Sequence, residues 1–150
     1  MTIAECQKFV DRVLKRKSII KVYGYRSLVV VAGRGGGRAF GYRAISLGVW
    51  ARQPVVILHE IAHHLAGFNA QHGPEFATVM LKLVRTVLGK EDYEKLLGSY
   101  AFRGVKIVGK SGKAQKARCP QSRKAWLEEE TKKRKEWKER RKEILNEQIA

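Results

Sequence analysis

Ile3, Cys6, Phe9, Val10, Val13 and Leu14 recur at the i, i+3, i+4 spacing that draws one apolar stripe along a helix. Thr2 with Glu5 three residues later has the form of a capping box, so the pattern predicts a first helix over about residues 3–16. From 19 to 32 the chain is rich in Val, Ile and Tyr, and from 39 to 51 it is similar, with Gly35-Gly36-Gly37 between the two stretches. That composition suits pleated, half-buried backbone and predicts two strands joined by a flexible hairpin turn. Ile45, Leu47 and Val49 alternate with Ser46, Gly48 and Trp50, so the second strand is expected to lay one face on a core and to lie at a sheet edge.

Punctuation then sets out three helices. Pro54 suits the first position of a helix, Val55 to Ala66 run without a breaker, and Gly67 is a ready terminator. The opening turns of this helix, Val55 to Leu58, are apolar all round, which predicts burial in the middle of the molecule. Pro74 opens the next, whose Phe76, Val79, Met80, Leu83, Val84, Val87 and Leu88 keep helical spacing until Gly89. Tyr93, Leu96, Leu97 and Tyr100 predict a short fourth helix on the same core. The expected fold is α+β, a domain over residues 1–108 with a small sheet on a buried helix. Residues 109–121, rich in Gly, Lys and Ser, read as a linker, and 122–150 as a basic, solvent-exposed helix. Pairs such as Glu128/Lys132, Glu129/Lys133, Glu130/Arg134 and Glu136/Arg140 support that helix at i, i+4. Its apolar residues sustain no heptad, and Trp126 and Trp137 are expected to dock on the domain rather than to stack on bases.

Charge and cysteine content narrow the function. Among 150 residues, 31 Lys+Arg face 14 Asp+Glu, a formal net charge of +17. The excess is greatest after residue 102, where 16 basic residues meet 7 acidic ones. Such a field attracts polyanions, so the basic tail makes nucleic acid a candidate partner without implying recognition of any base sequence. The longest unbroken apolar run, Leu28 to Ala32, is far shorter than the roughly 20 residues of a membrane span, so no membrane partner is expected. Glu5 and Asp11 interrupt any secretory pattern at the N-terminus, and a cytoplasmic protein is expected. Cys6 and Cys119 are the only cysteines, which excludes a disulfide framework and a four-cysteine zinc ribbon. Nothing in the sequence sets the oligomeric state. The glycine cluster lacks the Lys-Ser/Thr ending of a phosphate-binding loop.

The chemistry lies in His59-Glu60-Ile61-Ala62-His63, an H-E-x-x-H pattern on the helix that Pro54 opens. Four residues exceed one helical turn only slightly, so both imidazoles leave one face and can chelate one metal ion. Glu60, beside the first ligand, stands where a general base belongs. All four histidines lie between 59 and 72, and a merely structural His-Glu-His set on an apolar helix would leave costly polar groups to satisfy. A catalytic zinc takes three protein ligands, so a third is needed. His72 is favoured because Gly67 lets the chain turn back and Gly73-Pro74 fixes the start of the next helix. Glu75 is the alternative ligand, or a supporting partner if His72 binds. His64 leaves the helix about 100° from His63 and is expected to be packed or hydrogen-bonded.

Over residues 59–76, HEIAHHLAGFNAQHGPEF, the chain resembles the zincin metallopeptidases, most closely the small SprT-like or minimal-gluzincin type. It also resembles a small metallohydrolase family of actinobacteria and their phages. The resemblance implies His59, His63 and His72 as zinc ligands and Glu60 as the catalytic acid/base. Two departures limit it. The metzincin continuation requires Gly at position 66 and His at 69, where this chain has Ala66 and Asn69. Many SprT-like proteins also carry a cysteine zinc ribbon, which the two cysteines forbid, so DNA-dependent proteolysis would fall to the basic tail. The leading expectation is a zinc hydrolase, a peptidase acting on protein or peptide with Zn²⁺ as cofactor. Its substrate is expected to add as a strand beside Ala44–Trp50, and Tyr93 or Tyr100 is a candidate for holding the oxyanion, with no assignment between them. A metal-dependent nuclease or other hydrolase, and a non-catalytic polyanion-binding protein with structural zinc, are the alternatives.

Overall fold

Thr2 caps the first helix as its sequence demands. Its hydroxyl accepts from the Glu5 N–H at 3.2 Å, and the Glu5 carboxylate accepts from the Thr2 N–H at 2.6 Å. The computed structural model describes residues 1–41, 43–118, 125, 127–129, 131–136 and 138–139. Helix α1, Ile3–Leu14, buries Cys6, Phe9, Val10, Val13 and Leu14, the stripe its spacing marks out.

The first strand expectation fails at its start. Lys17–Tyr23 is a second helix, α2, which buries Ile19 against the core and ends at Gly24, φ 74°. Burial of one side chain on a helix outweighs the strand preference of Ile, Val and Tyr, a preference that reports packing more than backbone. Only Val29–Ala32 forms β1.

The expected hairpin is also rearranged. Gly37–Phe40 forms a separate strand, β2, and Ala44–Leu47 forms β3. The sheet order is β1-β3-β2, with β1 parallel to β3 and β2 antiparallel to it. The segment Ala44–Leu47 is therefore central, not an edge. Val49 lies in a short 3₁₀ turn, Val49–Ala51, and is 79% exposed, so the alternation stops at Leu47. Ile45 and Leu47 are fully buried as expected. Gly35 and Gly36 lie in the loop between β1 and β2, which do not pair with each other, and Gly37 opens β2. Gly36 accepts from the Gly48 N–H at 3.3 Å, and any Cβ on Gly48 would collide with the Gly35 carbonyl.

The outer edge of β1 is closed from α1. The Gln7 side chain donates to Leu28 O at 2.9 Å and accepts from the Val30 N–H at 2.8 Å, as a neighbouring strand would.

Pro54–Ala66 forms α3, Pro74–Val87 forms α4 and Lys90–Phe102 forms α5, each with the proline or glycine punctuation the sequence gives it. Helix α3 packs on α4 and on β2, and α1 packs on β1. Ile57, Leu58, Ile61 and Ala62 of α3 are fully buried, so it is the central helix that its apolar opening predicts. One cluster joins them to Val10, Val13, Ile45, Leu47, Leu83 and Val84. The class is mixed α+β.

Residues 109–121 do not begin as a linker. Lys106–Val108 and Ala114–Lys116 pair as an antiparallel hairpin, β4 and β5, whose β4 rests on α4. Ala117 beyond it is buried and donates to Val105 O at 3.0 Å. Glycine content marks this hairpin's turn, and low hydrophobicity hides its strands. The described tail residues are helical, and Lys133 meets Glu129 at 2.6 Å, one of the expected pairs. Cys119, Trp126 and Trp137, with the rest of the 122–150 expectation, lie outside the described residues. Among the described residues, no helix is long and apolar enough to cross a membrane.

Candidate metal centre

Two turns of α3 present His59 and His63 on one face, and a sharp return brings His72 to them. The return is Gly67 at φ 86°, a 3₁₀ turn over Phe68–Ala70, and Gln71 at φ 45°, after which Gly73 and Pro74 start α4. The ligand nitrogens of the three histidines all lie within 4.8 Å of one another. His59 Nε2 and His72 Nε2 are 3.2 Å apart. Ligands at about 2.0 Å on one tetrahedral ion stand roughly 3.3 Å apart, so this pair fits a shared ion. The three imidazoles can hold a metal ion.

Phe76 sits beneath them. Its ring centroid is 4.9 Å from His59, 4.5 Å from His63 and 4.9 Å from His72, and it is 3% exposed. An apolar floor of this kind restricts water on the inner side and fixes the ring planes. The spacing of α4 marks Phe76 only as core. Its contact with all three imidazoles follows from the packing of α4 on α3.

His64 is not part of the group. It is 7% exposed, its Nε2 donates to Ala44 O at 2.9 Å, and Phe68 stacks edge-on at 5.2 Å. Glu75 is exposed at the start of α4 and lies outside the three-histidine cluster.

Glu60 is 5% exposed and points at the sheet, where its Oε2 accepts from the Ala39 N–H at 2.6 Å. Burial raises its carboxyl pKa above the ordinary range, with the Ala39 N–H pulling the other way. Glycine is required opposite. A Cβ on Gly37 would stand 2.7 Å from Glu60 Oε1 and 2.8 Å from Val56 Cγ1. Gly37→Ala is therefore expected to push β2 off α3, costing about 1–3 kcal/mol in urea denaturation and displacing Glu60. An unchanged midpoint would show that the Glu60 side chain gives way freely.

A cavity of about 630 Å³ opens over this region, bordered by His59, Glu60 and His72 on one side and by Tyr100 and Arg103 of the α5 end on the other. Trp50, Val55, Val56, Met80 and Leu96 make its walls largely apolar. Of the two tyrosines the sequence singles out, Tyr100 faces this cavity and burial raises its hydroxyl pKa. Tyr93 packs against the core with the Arg85 guanidinium 5.2 Å over its ring. Ala39, Gly37 and Arg103 carry no sequence signal for this site, because strand order and helix packing alone bring them there.

Burial, reinforced by His59 and His72, pushes the His63 pKa from 6.5 to about 4. Between those values the unfolded chain binds a proton that the native imidazole refuses. The His63 contribution to metal-free stability therefore rises with pH from about 4 to 6.5 and is level above. Urea midpoints of the metal-free protein at pH 5 and pH 7 should differ more for wild type than for His63→Asn. Equal differences would contradict the burial of this imidazole.

Comparison of the chain with family models, curated proteins and solved structures gives no match.

Proposed function

We propose that the protein is a zinc-dependent hydrolase, and that it is a peptidase. The observation that carries this reading is the convergence of three imidazoles beside a buried carboxylate in an open cavity. Three clustered imidazole nitrogens, one pair of them at tetrahedral spacing, suit Zn²⁺, and the remaining position is left for solvent or substrate. When bound, the ion supplies Lewis acidity, polarising a carbonyl and acidifying a coordinated water.

The chain's own groups divide the remaining work. The Ala39 N–H holds Glu60 Oε2, so Oε1, on the Gly37 side, is the oxygen free to take a proton and return it to a leaving nitrogen. The raised carboxyl pKa brings base and acid forms closer in energy, which a residue serving in both steps needs. Phe76 and the buried face of α3 keep water from the inner side.

The cavity walls favour peptide over nucleic acid. They are largely apolar with one guanidinium, Arg103, whereas a phosphodiester track needs repeated cations. With β3 in the centre of the sheet, a peptide laid in this cavity meets Gly36 and Gly37 at the start of β2 instead. The same residues support the resemblance to SprT-like zincins. Zinc-loaded protein is expected to cleave casein, to lose that activity on chelation, and to regain it with Zn²⁺. Zinc-loaded protein that cleaves no protein substrate overturns the reading.

A further inference from the structure

His64, turned away from the three-histidine face, borders a second pocket of about 390 Å³. Three segments build it. Because β1 and β3 run parallel with Val29 opposite Ala44, the residues leading into the two strands lie side by side. The Val29 N–H donates to Arg43 O at 2.8 Å, and His64 Nε2 donates to Ala44 O at 2.9 Å, so the strand starts and α3 are pinned together. The pocket is therefore held by regular elements, although its rim is exposed.

Its lining is rich in cations and donors. Arg26, Ser27 and Arg43 line it, and among the described residues no carboxylate does. Among the described residues, Arg26 spends only its Nε on the protein, donating to Tyr23 O at 3.4 Å. Among the described residues, Arg43 has no carboxylate partner. Two exposed guanidiniums on the border of one pocket offer an anion that enters it charge-assisted hydrogen bonds from two sides. Guanidinium forks match phosphate oxygens in pairs. Beside them Tyr25 is 70% exposed, a ring face left open at the rim of a polar pocket. A planar aromatic group can stack there while its phosphate reaches the arginines. The volume is at the small end of ligand sites and suits one nucleotide unit.

We propose that this pocket binds a nucleoside phosphate, its phosphate between Arg26 and Arg43 and its base on Tyr25. The site is independent of the metal centre and of any hydrolysis there. Titration of the full-length protein with AMP, with inorganic phosphate and with a short oligothymidylate tests it. AMP is expected to bind saturably, and Arg26→Ala/Arg43→Ala to weaken it at least about tenfold. Lys106→Ala/Lys113→Ala, which removes the same charge from the β4–β5 hairpin, should change it less than twofold. Tyr25→Ala should weaken AMP and leave inorganic phosphate unaffected. Oligothymidylate that displaces AMP and binds more tightly identifies the unit as part of a strand, and failure to displace it identifies a free nucleotide. Either outcome keeps the pocket. Absence of saturable AMP binding, or equal loss in the lysine variant, overturns it, the latter because diffuse attraction by net charge would then account for all binding.

Discussion

Glu60→Gln is expected to abolish turnover, leave the metal in place, and raise the melting temperature of the metal-free protein at neutral pH. The first effect follows from chemistry. Glutamine cannot take a proton from water, and loss of a positioned general base costs roughly 10²–10⁴-fold in rate. The second follows from geometry, because the ligand cluster consists of His59, His63 and His72 and does not include Glu60. The third follows from burial. A carboxyl whose pKa is raised in the fold stabilises it only below the unfolded value of 4.5, and that contribution is lost as pH rises through the folded value. Well above 4.5 the carboxyl therefore costs stability, whereas glutamine offers the Ala39 N–H an amide oxygen without a charge. Each kcal/mol so relieved should raise the melting temperature by roughly 2–4 °C in a chain of this size, and the gain should shrink near pH 4. Rates, metal content and melting at both pH values separate the claims. Unchanged turnover removes Glu60 as the base, loss of metal makes it part of the binding set, and lower melting at pH 7.5 refutes the burial argument. The combination of lost activity and gained stability is the mark of a group held in place for chemistry at the expense of the fold.

How far the sequence discloses this arrangement depends on whether the relevant signal is local. Helix α3 is legible because Pro54 and Gly67 bound it and its opening residues are uniformly apolar, and the His59/His63 spacing then fixes a shared face. His72 is legible for a similar reason, since Gly67 and Gly73-Pro74 delimit a return too short to go elsewhere. Strand order is not local. The parallel pairing of β1 with β3 joins segments whose intervening strand, β2, belongs on the far side of β3, and neither composition nor alternation encodes that. The consequences reach the site. Ala39 and Gly37 meet Glu60 because β2 packs against α3 from the far side of β3, so the partner of the buried carboxylate could not be read in advance. The Lys17–Tyr23 helix shows the converse limit. Its Ile, Val and Tyr content suits a strand, but two helical turns place Ile19 in the core with Tyr23 packed against it, a choice that only tertiary packing makes.

Adjacent histidines on α3 should give opposite phenotypes. His63→Ala is expected to strip the metal, because it leaves one helical imidazole and one from an exposed loop, too few to fix a tetrahedral ion. The loss in affinity should exceed the roughly 10–100-fold that follows from disturbing a ligand's supporting partner. Metal-free stability should change little at pH 7, where the imidazole is neutral in both states. His64→Ala is expected to keep the metal and weaken the fold by about 1–3 kcal/mol, since it removes a buried hydrogen bond to Ala44 O at the start of the central strand. Glu75→Gln, exposed and outside the cluster, should do neither. Metal per chain after dialysis against buffered zinc, together with urea midpoints of the metal-free forms, reads both quantities. If His64→Ala loses metal as fully as His63→Ala, the ion is not defined by the three clustered rings. If His63→Ala retains a full complement, the ion does not sit among them at all.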